Sequence, residues 1–230
     1  MTFEVNHLSE HLNKFNKANH LYVGYSGGLD SHVLLHVIIE LIGKKRITAV
    51  HVNHQLSSNS DIWQKHCEDR CLEIGVNIIC KTVSIKNRGT GIEDAARNAR
   101  YSVFEKLLKK NDLLILAHHA DDQIETMLFR LFRGSGIKGM SGMPISRLLG
   151  NGELFRPLLP FFRRDLESYA SANQINWIED DSNLDIAFDR NFIRHKLIPT
   201  INERWPNSSF KLNRSANIFA ESDFLINILA

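Results

Sequence analysis

The alternation of short apolar runs with amphipathic stretches constrains the fold of this 230-residue chain more than any other feature. Apolar runs predict strands at 21–25, 47–52, 76–83 and 113–117, and helical periodicity predicts helices at 31–41, 61–74 and 93–110. Strands that alternate with helices favour a parallel sheet with helices on both faces. We therefore predict an α/β protein with a parallel-sheet core and a small helical extension.

Composition and charge are those of a globular protein, with 43% hydrophobic and 23% charged residues. The sequence starts without a basic segment followed by an apolar run, and no stretch approaches the roughly 18 apolar residues of a membrane span. We therefore expect a cytoplasmic protein without a membrane partner. The cysteines have no metal or disulfide spacing, and Cys67 and Cys71 are expected on the core face of a helix.

A glycine-containing loop, Ser26-Gly27-Gly28-Leu29-Asp30-Ser31, joins the first predicted strand to its helix. Glycines let the backbone approach phosphate oxygens, and the N-terminus of the helix offers free N–H groups. Ser26 and Ser31 add hydroxyl donors, and Asp30 can hold a Mg²⁺ that bridges phosphates. A tight turn capped by Asp30 or Ser31 would explain the same residues. Phosphate binding is the favoured interpretation.

The Ser-Gly-Gly-x-Asp-Ser pattern after the first strand resembles the pyrophosphate-binding loop of the N-type ATP pyrophosphatases, the PP-loop superfamily. Three further blocks, at 51–57, 117–126 and 177–194, are similar to bacterial tRNA(Ile)-lysidine synthases. The resemblance implies an adenine nucleotide alpha hydrolase-like core and a catalytic domain at 1–206. It also implies that 207–230 begins a helical linker to C-terminal domains that are absent from this chain.

The resemblance implies a ligase that joins free L-lysine to C2 of the wobble cytidine in a tRNA(Ile) with a CAU anticodon. ATP would first adenylate the C2 oxygen, and the lysine side-chain amine would then displace AMP. The loop at 26–31 would grip the pyrophosphate with Mg²⁺ on Asp30. Asn53 or His54 is predicted at the edge of the nucleotide, and a local structural role is an equally favoured interpretation. A homodimer is also expected from the family.

Cations are needed at the α-phosphate, because negative charge builds on its oxygens as pyrophosphate leaves. The arginines available for this role are Arg97, Arg100, Arg190 and Arg194. Arg100 lies in the part of the motif that the family uses, and Arg190 or Arg194 could approach from the far side. We predict Arg100 and Arg190 as the catalytic pair. For Arg97, an i,i+4 ion pair with Glu93 is the more favoured interpretation.

A cluster of acidic residues follows the predicted strand at 113–117 in the order His118-His119-Ala120-Asp121-Asp122, with Glu125 one turn later. By resemblance, Asp122 and Glu125 hold the lysine and His118 assists the chemistry, as a base or as an orienting group. The same residue types could ligate a metal. They could also form a solvated helix start whose acids are favoured by the helix dipole.

The segment 130–164 holds seven basic residues and one acidic residue, which favours contact with the tRNA backbone over a merely solvated face. Two other functions remain open. A tRNA thiolating enzyme of the same superfamily would use paired cysteines, which Cys67, Cys71 and Cys80 do not supply by spacing. A regulatory module that binds ATP without turnover would not need the acidic cluster.

Overall fold

A computed structural model of the chain describes residues 3–85, 91–178 and 185–229. It forms two compact units. The sheet unit comprises Met1–Ala117, Ser146–Pro157 and Arg164–Ile178, and the helical unit comprises His118–Ile145, Leu158–Arg163 and Glu179–Ala230.

Helices and strands alternate through most of the first half of the chain. The strands are β1 (Leu21–Gly24), β2 (Ile47–Asn53), β3 (Asn77–Thr82), β4 (Leu113–Ile115), β5 (Ser146–Leu149) and β6 (Gly152–Phe155). The α-helices are α1 (Leu12–Lys17), α2 (Leu29–Ile42), α3 (Ser60–Ile74), α4 (Ile92–Leu107), α5 (Ala120–Phe132), α6 (Ile137–Met140), α7 (Arg163–Ala172), α8 (Asp189–Phe192), α9 (Ile198–Arg204) and α10 (Ser208–Leu229). A 3₁₀ helix at Val5–His11 precedes α1, and a π-helical turn at Ile193–Leu197 joins α8 to α9.

The sheet unit is built on a six-stranded sheet with the strand order β3-β2-β1-β4-β6-β5. All neighbouring pairs are parallel except β5 with β6. The predicted α/β class with a mostly parallel sheet is therefore confirmed. Because β2, β1 and β4 are adjacent and parallel, the residues that follow them emerge at one edge, where open α/β sheets bind ligands.

The hairpin of β5 and β6 is a feature that the sequence did not predict. Leu149 pairs with Gly152, so the two strands are joined by a two-residue turn. Gly150 has φ +55° in this turn, a conformation that glycine adopts without a steric penalty. Each strand has only four residues, too few for periodicity to reveal.

The core of the sheet unit joins α3 and α4 to the strands. Phe104 of α4 and Leu108, the residue after this helix, pack with Leu114 and Leu154 of the sheet. Cys67 and Cys71 are both fully buried on α3, which confirms their prediction as core residues. Burial raises the pKa of the Cys71 thiol to about 12, so this thiol stays protonated at neutral pH.

The helical unit is centred on α5. Ile124 and Leu128 pack against Ile193, and Met127 packs with Met140 and Ala216 of α10. α5 therefore buries side chains on two of its faces within this unit. In the described part of the chain, no helix is both long and apolar enough to cross a bilayer.

The glycine-rich segment after α5 is anchored by two α5 side chains. The Gln123 carboxamide accepts from the Met143 amide at 2.7 Å and donates to the Met143 carbonyl at 3.0 Å. Arg130 donates to the carbonyls of Gly139 at 3.2 Å and Gly142 at 2.7 Å. Arg130, predicted as part of a tRNA-facing basic segment, therefore has a role in holding this turn.

Candidate active site

The loop between β1 and α2 is a tight turn that leads into the N-terminus of a helix. Gly27 has φ +86°, and a Cβ at this position would lie 2.9 Å from the Cys67 sulfur. Gly28 is the N-cap of α2, and Asp30 lies in the first turn. Backbone N–H groups at such a helix start attract phosphate oxygens. The predicted loop is therefore formed where the sequence placed it.

The two serines of the loop have different surroundings. Ser31 is 4% exposed, and its hydroxyl donates to the Gly28 carbonyl at 2.9 Å and accepts from the Ser26 amide at 3.2 Å. Ser26 is exposed, and its hydroxyl lies 3.2 Å from that of Ser31. Ser31 thus shapes the turn, while Ser26 presents a hydroxyl at the surface.

His32 supports this loop and was not singled out by sequence reasoning. Its Nε2 lies 2.7 Å from the Tyr25 hydroxyl and its Nδ1 lies 3.3 Å from the Gly28 carbonyl. Since a carbonyl only accepts, Nδ1 carries the proton and Nε2 accepts from Tyr25. Burial lowers the pKa of His32 to about 4. The only sequence signal was its place directly after the loop motif.

The lowered pKa of His32 predicts a loss of stability in mild acid. The unfolded histidine takes up a proton near pH 6.5 and the folded one near 4, so stability falls as the pH drops through this window. At pH 5 we expect a loss of about 2 kcal/mol from this group, measured by urea unfolding at pH 7.5 and 5. His32→Gln should shrink the difference by that amount. If the loss of stability between pH 7.5 and pH 5 is the same in His32→Gln as in the unchanged protein, His32 is not a neutral buried residue.

Asn53, predicted to contact the nucleotide, lies at the end of β2 and is 2% exposed. Its amide nitrogen donates to Asp61 at 3.0 Å and to Gln64 at 3.2 Å, and its carbonyl oxygen accepts from the Gln55 amide at 2.9 Å. These contacts hold the connection from β2 to α3. The nucleotide contact stays a prediction.

Arg100 lies on α4, close enough to His54 for its positive charge to affect the pKa of that side chain. Burial and then the positive charge of Arg100 lower the pKa of His54 to about 4. The Nδ1 atom of His54 is buried and makes no hydrogen bond to any described residue. Arg100 thus brings a positive charge next to a residue that follows β2, and its contact with the α-phosphate stays a prediction.

Three arginines surround the ring of Tyr101. The guanidinium groups of Arg97 and Arg147 lie 4.9 and 5.2 Å from the ring centroid, and Arg156 donates to the hydroxyl at 3.1 Å. Burial raises the pKa of Tyr101, but the positive charges of the arginines, Arg156 foremost, have the larger effect. The pKa of Tyr101 is therefore lowered overall. Arg156 is 1% exposed, so its assignment to a tRNA-facing surface was wrong.

The acidic cluster lies at the start of α5 in the helical unit. His119 is the N-cap, and its amide donates to Asp122 at 3.0 Å in a capping box. Asp121 accepts from the Arg163 amide at 2.8 Å. Burial raises the pKa of Asp121, but hydrogen bonds from His119 and Arg163 outweigh this and lower it. His118, the predicted base, is half-buried directly before this cap.

Arg194 binds the two carboxylates that were predicted to hold lysine. Its Nε donates to one oxygen of Glu125 at 2.6 Å, and its Nη2 donates to the other at 3.0 Å and to Asp122 at 3.2 Å. Burial raises the pKa of Glu125, which is 1% exposed, and the guanidinium opposes this rise. The sequence had offered Arg194 only as a candidate phosphate ligand.

The remaining predictions concern Arg190, the third sequence block and a metal site. Arg190 is half-buried on α8. The segment 179–184, part of the third sequence block, lies outside the described residues. Within residues 3–85, 91–178 and 185–229, no group of three or more His, Cys, Asp or Glu side chains is arranged to hold a metal ion. The metal interpretation of the acidic cluster therefore gains no support there.

The chain is similar in sequence to curated proteins. The tRNA(Ile)-lysidine synthase of Legionella pneumophila (strain Paris) is 44% identical over 211 residues, which are 91% of this chain and 49% of the relative. That of Coxiella burnetii (strain RSA 493 / Nine Mile phase I) is 42% identical over 211 residues, 90% of this chain and 47% of the relative. The chain spans about half the length of the curated relatives it matches. The resemblance stated from the motifs is thus confirmed.

A solved structure shares the fold at low sequence identity. The U34-tRNA thiolase from Methanococcus maripaludis superposes with a TM-score of 0.65 at 16% identity, covering 94% of this chain and 79% of the other. At this identity the likeness shows the fold alone. A family model described as the PP-loop domain matches residues 2–201. The chain therefore belongs to the PP-loop domain family.

Proposed function

We propose that this chain carries the catalytic part of an ATP-dependent tRNA(Ile)-lysidine synthase. The reaction adenylates the C2 oxygen of the wobble cytidine of a tRNA(Ile) with a CAU anticodon, then joins lysine to C2 and releases AMP. The observation that carries the proposal is the carboxylate pair of half-buried Asp122 and buried Glu125, which already holds a cation. Such a pair suits an ammonium ligand, and relatives that carry this name match 90% or more of the chain.

The nucleotide side of the proposed site uses the loop after β1. Its backbone N–H groups and Ser26 bind the β and γ phosphates, which orients the bond to the α-phosphate. Asp30 fits a Mg²⁺ ligand, because it is a carboxylate in the first turn of α2. When bound, Mg²⁺ neutralises charge on the leaving pyrophosphate. Arg100 and Arg190 are proposed to stabilise the α-phosphate.

The lysine side of the proposed site uses the start of α5. Asp122 and Glu125 bind an ammonium group of lysine, and His118 accepts the proton that the attacking amine must lose. A cytoplasmic location and a homodimer complete the proposal.

The cysteines do not favour sulfur transfer as the alternative function. Cys67 and Cys71 are fully buried, and burial raises the pKa of both thiols. Because the thiolate is the reactive form, neither side chain is prepared for nucleophilic chemistry. Cys80 is half-buried, and burial raises its pKa to about 12.

Lysine-dependent release of AMP tests the proposal directly. The protein is incubated with ATP, Mg²⁺, lysine and a tRNA(Ile) transcript, and AMP and tRNA-bound radioactive lysine are measured. We expect both products in equal amounts, and neither with a transcript that has uridine at the wobble position. Bound ATP without AMP would favour a regulatory module, and sulfur incorporation from a sulfide donor would favour thiolation.

A further inference from the structure

The carboxylate pair assigned to lysine is occupied by a cation of the chain itself. The Arg194 guanidinium binds both oxygens of Glu125 and one oxygen of Asp122. The Glu125 side chain is 1% exposed, whereas that of Arg194 is 31% exposed. The guanidinium is therefore the more accessible of the two groups to an external ammonium. While its three hydrogen bonds to Glu125 and Asp122 persist, an ammonium cannot bind both oxygens of Glu125.

We propose that Arg194 is a specificity-determining residue of this pocket, an internal cation that an ammonium group of lysine must replace. The inference rests on the proposed function, which assigns Asp122 and Glu125 to lysine. Replacement exchanges one cation for another, so the carboxylates keep their charge compensation. A neutral or anionic ligand of the same shape brings no cation and leaves the guanidinium in place.

The energetics of the exchange favour a complete lysine over simple amines. A buried carboxylate without a cation is strongly destabilising, so the guanidinium leaves only when another cation takes its place. A bidentate guanidinium also binds a carboxylate in a fixed fork that an ammonium does not match. The ligand must therefore contribute further contacts elsewhere to complete the exchange.

The backbone around Arg194 allows the side chain to move alone. Arg194 lies on the π-helical turn at Ile193–Leu197. Its neighbour Ile193 is 4% exposed and packs against Ile124 and Leu128 of α5. With that anchor in place, rotation about side-chain torsions releases the guanidinium without displacement of the turn.

The first test observes Arg194 in the unchanged protein. The Nε–H group of Arg194 gives a signal in ¹⁵N NMR spectra, assigned by its loss in Arg194→Lys. We expect this signal to shift and exchange faster with solvent as lysine is added. Hexanoate, which has the same six-carbon acid chain without ammonium groups, should leave the signal unchanged.

The second test removes the internal cation. Arg194→Met should bind lysine at least about tenfold more tightly in calorimetry at pH 8, because the competing state is gone. Methylguanidinium should compete with lysine in this variant and have little effect in the unchanged protein. The matched control is Arg204→Met, since Arg204 lies against the Trp205 ring at 5.8 Å and should bind lysine as the unchanged protein does.

The results separate this inference from the function on which it rests. An Arg194 signal that is unmoved at saturating lysine, or equal or weaker lysine binding by folded Arg194→Met, overturns the exchange. If AMP release still depends on lysine, the proposed function stands and lysine is bound at other groups. If AMP release needs no lysine and no lysine binds, the proposed function fails first. Should Arg194→Met not fold, the NMR titration alone decides.

Discussion

Asp30→Asn should lower the rate of AMP formation by about 10²–10³-fold, the usual effect of removing one preorganised electrostatic group. The carboxylate lies in the first turn of α2, directly after the glycine loop. The amide is nearly isosteric but holds Mg²⁺ poorly, so charge on the departing pyrophosphate loses its compensation. The measurement is single-turnover AMP release with saturating tRNA and lysine.

The matched control for this variant is Asp69→Asn on α3. Asp69 pairs with Lys65 on the helix surface, so its loss should leave both the rate and the fold unchanged. Asp30→Asn itself should unfold at nearly the same urea concentration, since a carboxylate in a first turn contributes only about 0.3–1 kcal/mol. AMP formation at the normal rate would remove Asp30 from the proposed site.

The sequence predicted the sheet better than it predicted the connections. The four predicted strands are all found in the structure. Each is an apolar run between segments of helical periodicity, and such an alternation over many residues predicts strands and helices well. The β5–β6 hairpin was missed because each of its strands has only four residues, too few to show a periodicity. The Gly150 turn was the one local signal that could have indicated it.

Local motifs also predicted the phosphate loop but not the partners of charged residues. The proposed roles of Gly27, Gly28 and Asp30 depend on the backbone shape of the loop and on the start of a helix. Neighbouring residues in the sequence determine both features. The pairing of Arg194 with Glu125 joins positions that are 69 apart in the chain. Charge counting likewise assigned Arg156 to a surface, although it is buried against Tyr101. Tertiary packing decided both cases.

Glu125→Gln should raise the KM for lysine by about 100-fold, since a hydrogen bond to a charged group contributes about 1.5–3 kcal/mol. The amide keeps the shape of a side chain that is 1% exposed, but it cannot compensate an ammonium. The KM for ATP should stay within about twofold, because the loop that binds phosphates in the proposed site is a separate set of residues. Both constants come from initial rates of AMP release.

A Glu153→Gln variant provides the matched control, because Glu153 also forms an ion pair, with Lys14 in the sheet unit. The same isosteric change there should leave the KM for lysine unaltered. Glu125→Gln is also expected to lower stability, since it removes the buried partner of the ion pair with Arg194. Urea unfolding measures that loss separately from the kinetics. A stable Glu125→Gln protein with an unchanged KM for lysine would mean that lysine binds elsewhere and that Glu125 serves only to hold Arg194.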